Sequence, residues 1–204
     1  MSIINHKSYR GDTLIEVLLA ITVFSLVAVG AMATMSSGTS TIQRSLEISL
    51  VRNEIDAQAE TLRFLNASYI ANYPNTIAVG TPEAEWVKIR SKTSTNVTLS
   101  SSCPTTIPQN SFILDTRYAK FYDTKYNSMP QTFSQVRYNP DTSVVGPINN
   151  ADGIWIQLTK STTVASNYQS NTGYIDFYIR ACWNGPGQKV PVTLQTIVRL
   201  YEPR

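Results

Sequence analysis

Histidine is almost missing from this chain: the one copy in 204 residues is His6, inside the first ten. A chain with no later histidine cannot build a Ser-His-Asp or Cys-His site, and it lacks the commonest transition-metal ligand. No P-loop or dinucleotide fingerprint is visible. The two cysteines, Cys103 and Cys182, do not form the short-spaced pair that metal or dithiol chemistry favours. Net charge is scarce too. Two of the 17 cations, Lys7 and Arg10, and none of the 14 acids precede Asp12, which leaves 15 against 14 from there on. No general attraction to nucleic acid or anionic lipid follows from that balance. Asp115 and Asp123 are formal candidates for the paired carboxylates of glycoside chemistry, with no other feature to support them. The expectation is a chain that is not an enzyme and carries no cofactor and no metal.

What is present in quantity is one apolar run. It opens at Gly11-Asp12-Thr13-Leu14-Ile15-Glu16-Val17 and reaches Met35, long enough to cross a bilayer. From Thr13 to Met35 the only ionisable residue is Glu16. At the bilayer centre a charge costs about 2.5–3.5 kcal/mol on insertion scales, so an acid in such a run needs a function and a partner. The preceding stretch supplies one. Met1 to Arg10 is a polar leader, and cleavage after Gly11 would create an α-amino group on Asp12, four residues ahead of Glu16. Lys7 and Arg10 precede the run and the next cation is Arg44, which places the N-terminus in the cytoplasm and later residues outside.

A basic leader, Gly11, one variable residue, then Thr13-Leu14-Ile15-Glu16-Val17 and an apolar helix together resemble a type IV prepilin, a family that includes the pseudopilins of secretion and competence systems. The resemblance covers about the first third of the chain. It implies removal of the leader by prepilin peptidase, residence in the cytoplasmic membrane, and transfer through a membrane assembly platform with a cytoplasmic ATPase into an extracellular filament of pilin subunits. It also implies that the acid matching Glu16 attracts the free amine of a neighbouring subunit. Opposite charges about 4 Å apart attract by about 4 kcal/mol at an effective dielectric of 20, enough to select one axial register. One departure stands out. The family usually has Phe or Met where this chain has Asp12, and methylates the new amine; an acidic Asp12 competes with Glu16 and alters that contact. Adhesion, twitching motility and DNA uptake are the roles implied, with a secretion pseudopilus or an unassembled binding module as alternatives.

Two plainer accounts of the run exist. One is an ordinary single-pass anchor, which needs neither Gly11 nor Glu16. The other is a conventional secretory signal cut after Ala31-Met32-Ala33, in which Glu16 would sit inside the apolar run. The mass of the exported protein separates the three.

The domain plan that follows is a leader over residues 1–11, an apolar helix over 12–35, an amphipathic helix over 36–73 and a β-rich headgroup over 74–204. The fold class is α+β, with the helix packed on an antiparallel sheet. Ser36 to Thr41 should be a helical but locally weak stretch. From there Ile42, Leu46 and Leu50, then Val51, Ile55, Ala59, Leu62 and Leu65 recur at helical spacing, with Arg52 and Asp56 placed for an i,i+4 pair. Asn72-Tyr73-Pro74 ends the helix. Residues 75–111 read as an irregular crossover with short strands at Trp86 to Ile89 and Val97 to Leu99. Alternating rows at Ile154 to Leu158, Tyr174 to Trp183 and Val190 to Leu200 predict strands, the last two joined as a hairpin across Asn184 to Gln188. Pro191 argues for an edge position.

An oxidising compartment favours a disulfide between Cys103 and Cys182, closing a loop of about 80 residues for about 4–5 kcal/mol on chain-entropy estimates. Two unpaired buried thiols are the alternative. Arg117, Lys120 and Lys125 alternate with Tyr118, Phe121, Tyr122 and Tyr126, a mix that binds single-stranded DNA by phosphate contact and base stacking but also suits a plain amphipathic strand and loop. Asn139 to Asp152, with Asp141, Asn149, Asn150 and Asp152, offers oxygen ligands for calcium but matches no established loop spacing; a surface turn is the alternative.

Overall fold

The computed structural model describes residues 12–94, 97, 102–123, 126–128, 130, 132–138, 148–160 and 173–202. The leader, Gly11, Lys125, Thr98, Leu99 and Asp141 lie outside the described residues. The chain divides into two compact units, Met1–Gln43 and Arg44–Arg204. Helix α1 runs Asp12–Asn72 and contributes to both.

The first unit contains the apolar part of α1. No proline interrupts it, and the poor helix formers of Ser36 to Thr41 are carried inside the helix. Their hydroxyls turn back on the backbone: Thr39 donates to Ser36 O at 2.9 Å, Ser40 to Ser37 O at 2.9 Å and Thr41 to Ser37 O at 3.0 Å. Such back-bonding satisfies the side chain at a small cost in helix stability.

In the second unit α1 buries Glu47, Val51, Ile55, Gln58, Ala59, Leu62, Leu65 and Asn66, a stripe at three- and four-residue spacing. The expected row Ile42, Leu46, Leu50 is not part of it, for all three are exposed. The buried stripe instead starts at Glu47, whose carboxylate accepts the indole N–H of Trp183 at 3.1 Å. Nor do Arg52 and Asp56 pair; the ion pair on this stretch joins Glu60 and Arg63.

Helix α2 (Pro82–Arg90) replaces the strand expected at Trp86 to Ile89. Pro82 occupies the first turn with Glu83 and Glu85, and Lys88 and Arg90 close the last turn, the charge order a helix dipole favours. It buries Glu85, Trp86 and Ile89. Val97 is not in a strand.

Eight strands follow: β1 (Ile113–Asp115), β2 (Lys120–Tyr122), β3 (Tyr126–Asn127), β4 (Gln135–Tyr138), β5 (Ile148–Asp152), β6 (Ile154–Lys160), β7 (Tyr174–Trp183) and β8 (Val192–Tyr201). They form three small sheets, β1-β2, β3-β5-β4 and β6-β7-β8, where one antiparallel sheet was expected. The β3-β5 pair is parallel. The expected hairpin is present: β7 and β8 pair antiparallel over ten residues from Tyr174↔Tyr201 to Trp183↔Val192. Pro191 directly precedes β8, which is an edge strand.

One face of β6 and β7 (Ile154, Ile156, Leu158, Ile175, Phe177, Ile179, Ala181, Trp183) joins the α1 stripe and Trp86 and Ile89 of α2 in one apolar cluster. Each such side chain fully buried stabilises by about 1.5–3 kcal/mol. The turn from β5 to β6 is Gly153, at φ +58°; a Cβ there would lie 2.2 Å from Cys182 O and 2.8 Å from Ser134 Oγ. Only glycine allows this close approach.

Candidate assembly site

The residues from Thr13 to Val17 form the opening turns of α1, with Glu16 on its second turn. Negative charge so near a helix N-terminus is favoured by the unpaired backbone N–H groups there. Beyond it, large apolar side chains stand in the open: Leu14 and Ile15 are 67% exposed, Phe24 74%, Leu26 77% and Met35 76%. Contiguous apolar exposure on this scale marks a surface that something else covers. Among the described residues, α1 is the one helix long and apolar enough to cross a membrane.

The polar groups inside the run are nearly all satisfied by the helix itself. Thr22 Oγ1 donates to Leu19 O at 2.8 Å, Ser25 Oγ to Ile21 O at 2.8 Å and Thr34 Oγ1 to Ala31 O at 2.9 Å. Spanning structures meet this requirement because hydrocarbon offers no hydrogen bonds. Glu16 is different: it forms no ion pair among the described residues. A carboxylate in that setting asks for a cation from outside its own chain.

Gly30 and Gly38 form a feature whose packing role was not read from the sequence. Both lie inside α1, and a Cβ added at either would meet nothing within 4 Å. Neither is required by the subunit's own packing, yet each weakens a helix by about 1 kcal/mol relative to alanine. With Thr34 between them they repeat at four residues, the small-xxx-small spacing that lets helices approach closely in a membrane. That spacing was available in the sequence.

The headgroup residues singled out for chemistry are engaged elsewhere. Arg117 makes a two-pronged contact with Asp115, Nε to Oδ1 at 3.2 Å and Nη2 to Oδ2 at 3.0 Å, and its guanidinium lies 3.8 Å from the centre of the Tyr138 ring. Hydrogen bonding to Asp115 pushes the Arg117 pKa further up. Tyr138, absent from the expected set, is thus the ring this cation stacks on most closely, with Tyr118 at 5.3 Å. Lys120 is exposed on β2 and Tyr122 half-buried, with Phe121 between them against Phe112. The mix of cation and ring is therefore largely spent on local packing.

Asp123 pairs with Lys92, so the two aspartates considered for glycoside chemistry serve separate cations. Of the calcium candidates, Asn150 and Asp152 lie on β5, not in a surface turn. Asp152 is already held by Arg137 and accepts from Asn127 Nδ2 at 3.0 Å. Among the described residues no group of three or more His, Cys, Asp or Glu side chains is placed to hold a metal ion. Cys103 and Cys182, 79 positions apart in sequence, are joined in a disulfide with Cα atoms 5.4 Å apart. It ties the segment before β1 to the end of β7.

A folded α+β unit joined by one continuous helix to an exposed apolar segment, with Glu16 near its start, fits a membrane-anchored subunit. Residues 6–32 match the family model described as the prokaryotic N-terminal methylation motif, the signature of type IV pilins and pseudopilins. The motif implies processing by prepilin peptidase and assembly with other pilin subunits. No curated protein and no solved structure matches the chain.

Proposed function

We propose that this chain is a structural subunit of a type IV pilus-like extracellular filament. Prepilin peptidase cuts between Gly11 and Asp12. The subunit waits in the cytoplasmic membrane with its N-terminus inside and its headgroup outside, and the assembly platform then moves it into the fibre. The observation that carries this reading is Glu16, the one ionisable side chain from Thr13 to Met35, on a helix whose neighbouring hydroxyls need no outside partner.

Transfer from lipid to a bundle of sister helices exchanges one apolar surrounding for another, so hydrophobic burial contributes little to the choice of neighbour. Specificity then falls to packing at Gly30, Thr34 and Gly38 and to the contact between Glu16 and an incoming α-amine. Asp12 precedes Glu16 by four positions in the sequence and, as a second acid, competes with it for that amine. The headgroup, with its disulfide, is the part presented outside.

Glu16→Ala tests the reading. Membrane insertion and headgroup folding should stay as in the parent, while incorporation into sheared surface filaments, followed by immunoblotting, falls at least about tenfold, the equivalent of losing roughly 1.4 kcal/mol. Incorporation at the parent level removes the proposed role. Filament location in the same preparation separates a surface pilus from a periplasm-spanning pseudopilus.

A further inference from the structure

The sheet β6-β7-β8 has a second face, turned away from the apolar cluster. The register places Trp155 of β6, Arg180 of β7 and Gln195 of β8 side by side across the three strands, and Cys182 and Thr193 side by side in the next row. With Ser102, Pro104, Pro108 and Leu194 these residues line a cavity of about 230 Å³. The Cys103–Cys182 disulfide fastens the Ser102 to Pro108 segment to β7. A second tie comes from Tyr126, whose hydroxyl donates to Pro104 O at 3.1 Å while its ring meets Trp155 edge-on at 5.9 Å.

The lining is unusual for a wall that only seals a fold. Trp155 is 5% exposed, yet its indole N–H has no acceptor among the described residues. A buried donor without a partner is costly and rare in native proteins. Beside it Arg180 is 6% exposed, its Nη1 donating to Gln157 Oε1 at 3.4 Å and its guanidinium 5.6 Å from the centre of the Tyr178 ring. Burial pulls the Arg180 pKa down from its ordinary value, with Tyr178 acting against it. Pro104 and Pro108 add apolar surface. An enclosed cleft with apolar walls and a few convergent polar groups is the usual form of a small-molecule site.

We propose that this cavity binds a small ring-bearing carboxylate, with the carboxylate held by the Arg180 guanidinium and the Trp155 indole N–H and the ring lying against Pro104 and Pro108. Two sources share that chemistry: the acidic sugar at the end of a surface polysaccharide, and a free aromatic acid. An acid suits the site better than a neutral ring because a carboxylate accepts from both donors at once. The site lies on the headgroup and is independent of Glu16, so its fate says nothing about assembly through α1, and the reverse also holds.

The test is calorimetric titration of the full-length chain in lipid nanodiscs with glucuronate and with benzoate, and with glucose and benzyl alcohol as neutral counterparts. Saturable binding of either acid, at least about tenfold tighter than its neutral counterpart, is the expected result. Glucuronate alone points to a glycan end group and benzoate alone to an aromatic acid. Thr193→Trp, at an exposed rim position, should keep the parent melting temperature and abolish binding by filling the mouth. Trp155→Phe keeps the ring and removes the N–H, and should weaken binding about tenfold. No saturable heat from either acid up to about 10 mM, equal binding of the neutral rings, or unchanged binding in Thr193→Trp would each overturn the proposal.

Discussion

The two units of this chain solve the polar-group problem in opposite ways. In the described part of the first unit, residues 13–43, hydroxyls such as those of Thr22, Ser25 and Thr34 bond to carbonyls three or four residues back and the large apolar side chains face outward. Nothing long-range stabilises that unit among the described residues. In Arg44–Arg204 the polar side chains are buried and reach far along the chain: Gln58 Nε2 donates to Leu114 O at 2.9 Å while Leu114 N–H donates to Gln58 Oε1 at 3.0 Å, and the Trp183 indole donates to Glu47. Under the proposed function, helical self-sufficiency suits a segment whose neighbours change from lipid to protein. A buried polar network suits a unit that must keep one shape throughout. Mutations in the second unit should therefore read out as stability, and mutations in the first as assembly.

The largest effect should come from Gly153→Ala. Its Cβ would sit 2.2 Å from the Cys182 carbonyl oxygen, a backbone atom that cannot step aside, in a conformation that already disfavours side chains. A loss above about 4 kcal/mol is expected, enough to unfold a marginally stable unit. A cooperative melt near the parent temperature by near-ultraviolet circular dichroism would contradict this. Gln58→Leu comes next. Its side-chain amide pairs with Leu114 of β1 as a neighbouring strand would, and an apolar replacement leaves a buried N–H and C=O unpaired. About 2–4 kcal/mol should be lost in urea unfolding, with filament contacts on the first unit untouched.

The double change Gly30→Ala, Gly38→Ala sharpens the comparison from the other side. Removing both glycines should make α1 intrinsically more stable by about 1–2 kcal/mol, since each open position accepts a methyl without a clash. Headgroup melting should not move. Filament yield should drop, because the added methyls hold neighbouring helices apart. Unchanged yield would mean that no close approach occurs at these positions.

Periodicity was enough to read α1 and the β7-β8 hairpin, because a long apolar stripe and ten alternating residues closed by Asn184-Gly185-Pro186-Gly187 leave few alternatives. The N-terminal methylation motif was legible for a different reason: an acid among apolar residues is conspicuous in any context. Helix α2 was misread because Trp86, Val87 and Ile89 suggest a strand by composition. The signal against it, Thr81-Pro82-Glu83 with cations at Lys88 and Arg90, is one of order and not of content. The exposure of Leu46 and Leu50 and the burial of Glu47 depend on where Trp183 arrives, more than a hundred residues later. Asp115's capture of Arg117 is local, two residues apart, and was hidden for a different reason. A cation next to aromatic residues looks the same on paper whether it faces a ligand or its own acid.

Glu54 provides the smallest and most specific test of the buried network. Burial beside the α1 stripe raises its pKa above the usual carboxylate value, and the hydrogen bond donated by Gln58 Nε2 at 3.3 Å offsets this only in part. A carboxyl whose folded pKa is raised stabilises the fold below its unfolded pKa of about 4.5, and that contribution is lost as pH rises through the folded value. At neutral pH, then, Glu54 is ionised at a cost. Glu54→Gln keeps the carbonyl acceptor for Gln58 and removes the charge, so it should raise stability at pH 7 by about 0.5 kcal/mol and leave it unchanged at pH 4. A gain of equal size at both pH values would trace to packing and not to charge. A loss at pH 7 would mean that the carboxylate is paired, and the contrast drawn between a satisfied network and a strained acid beside it would fail at that residue.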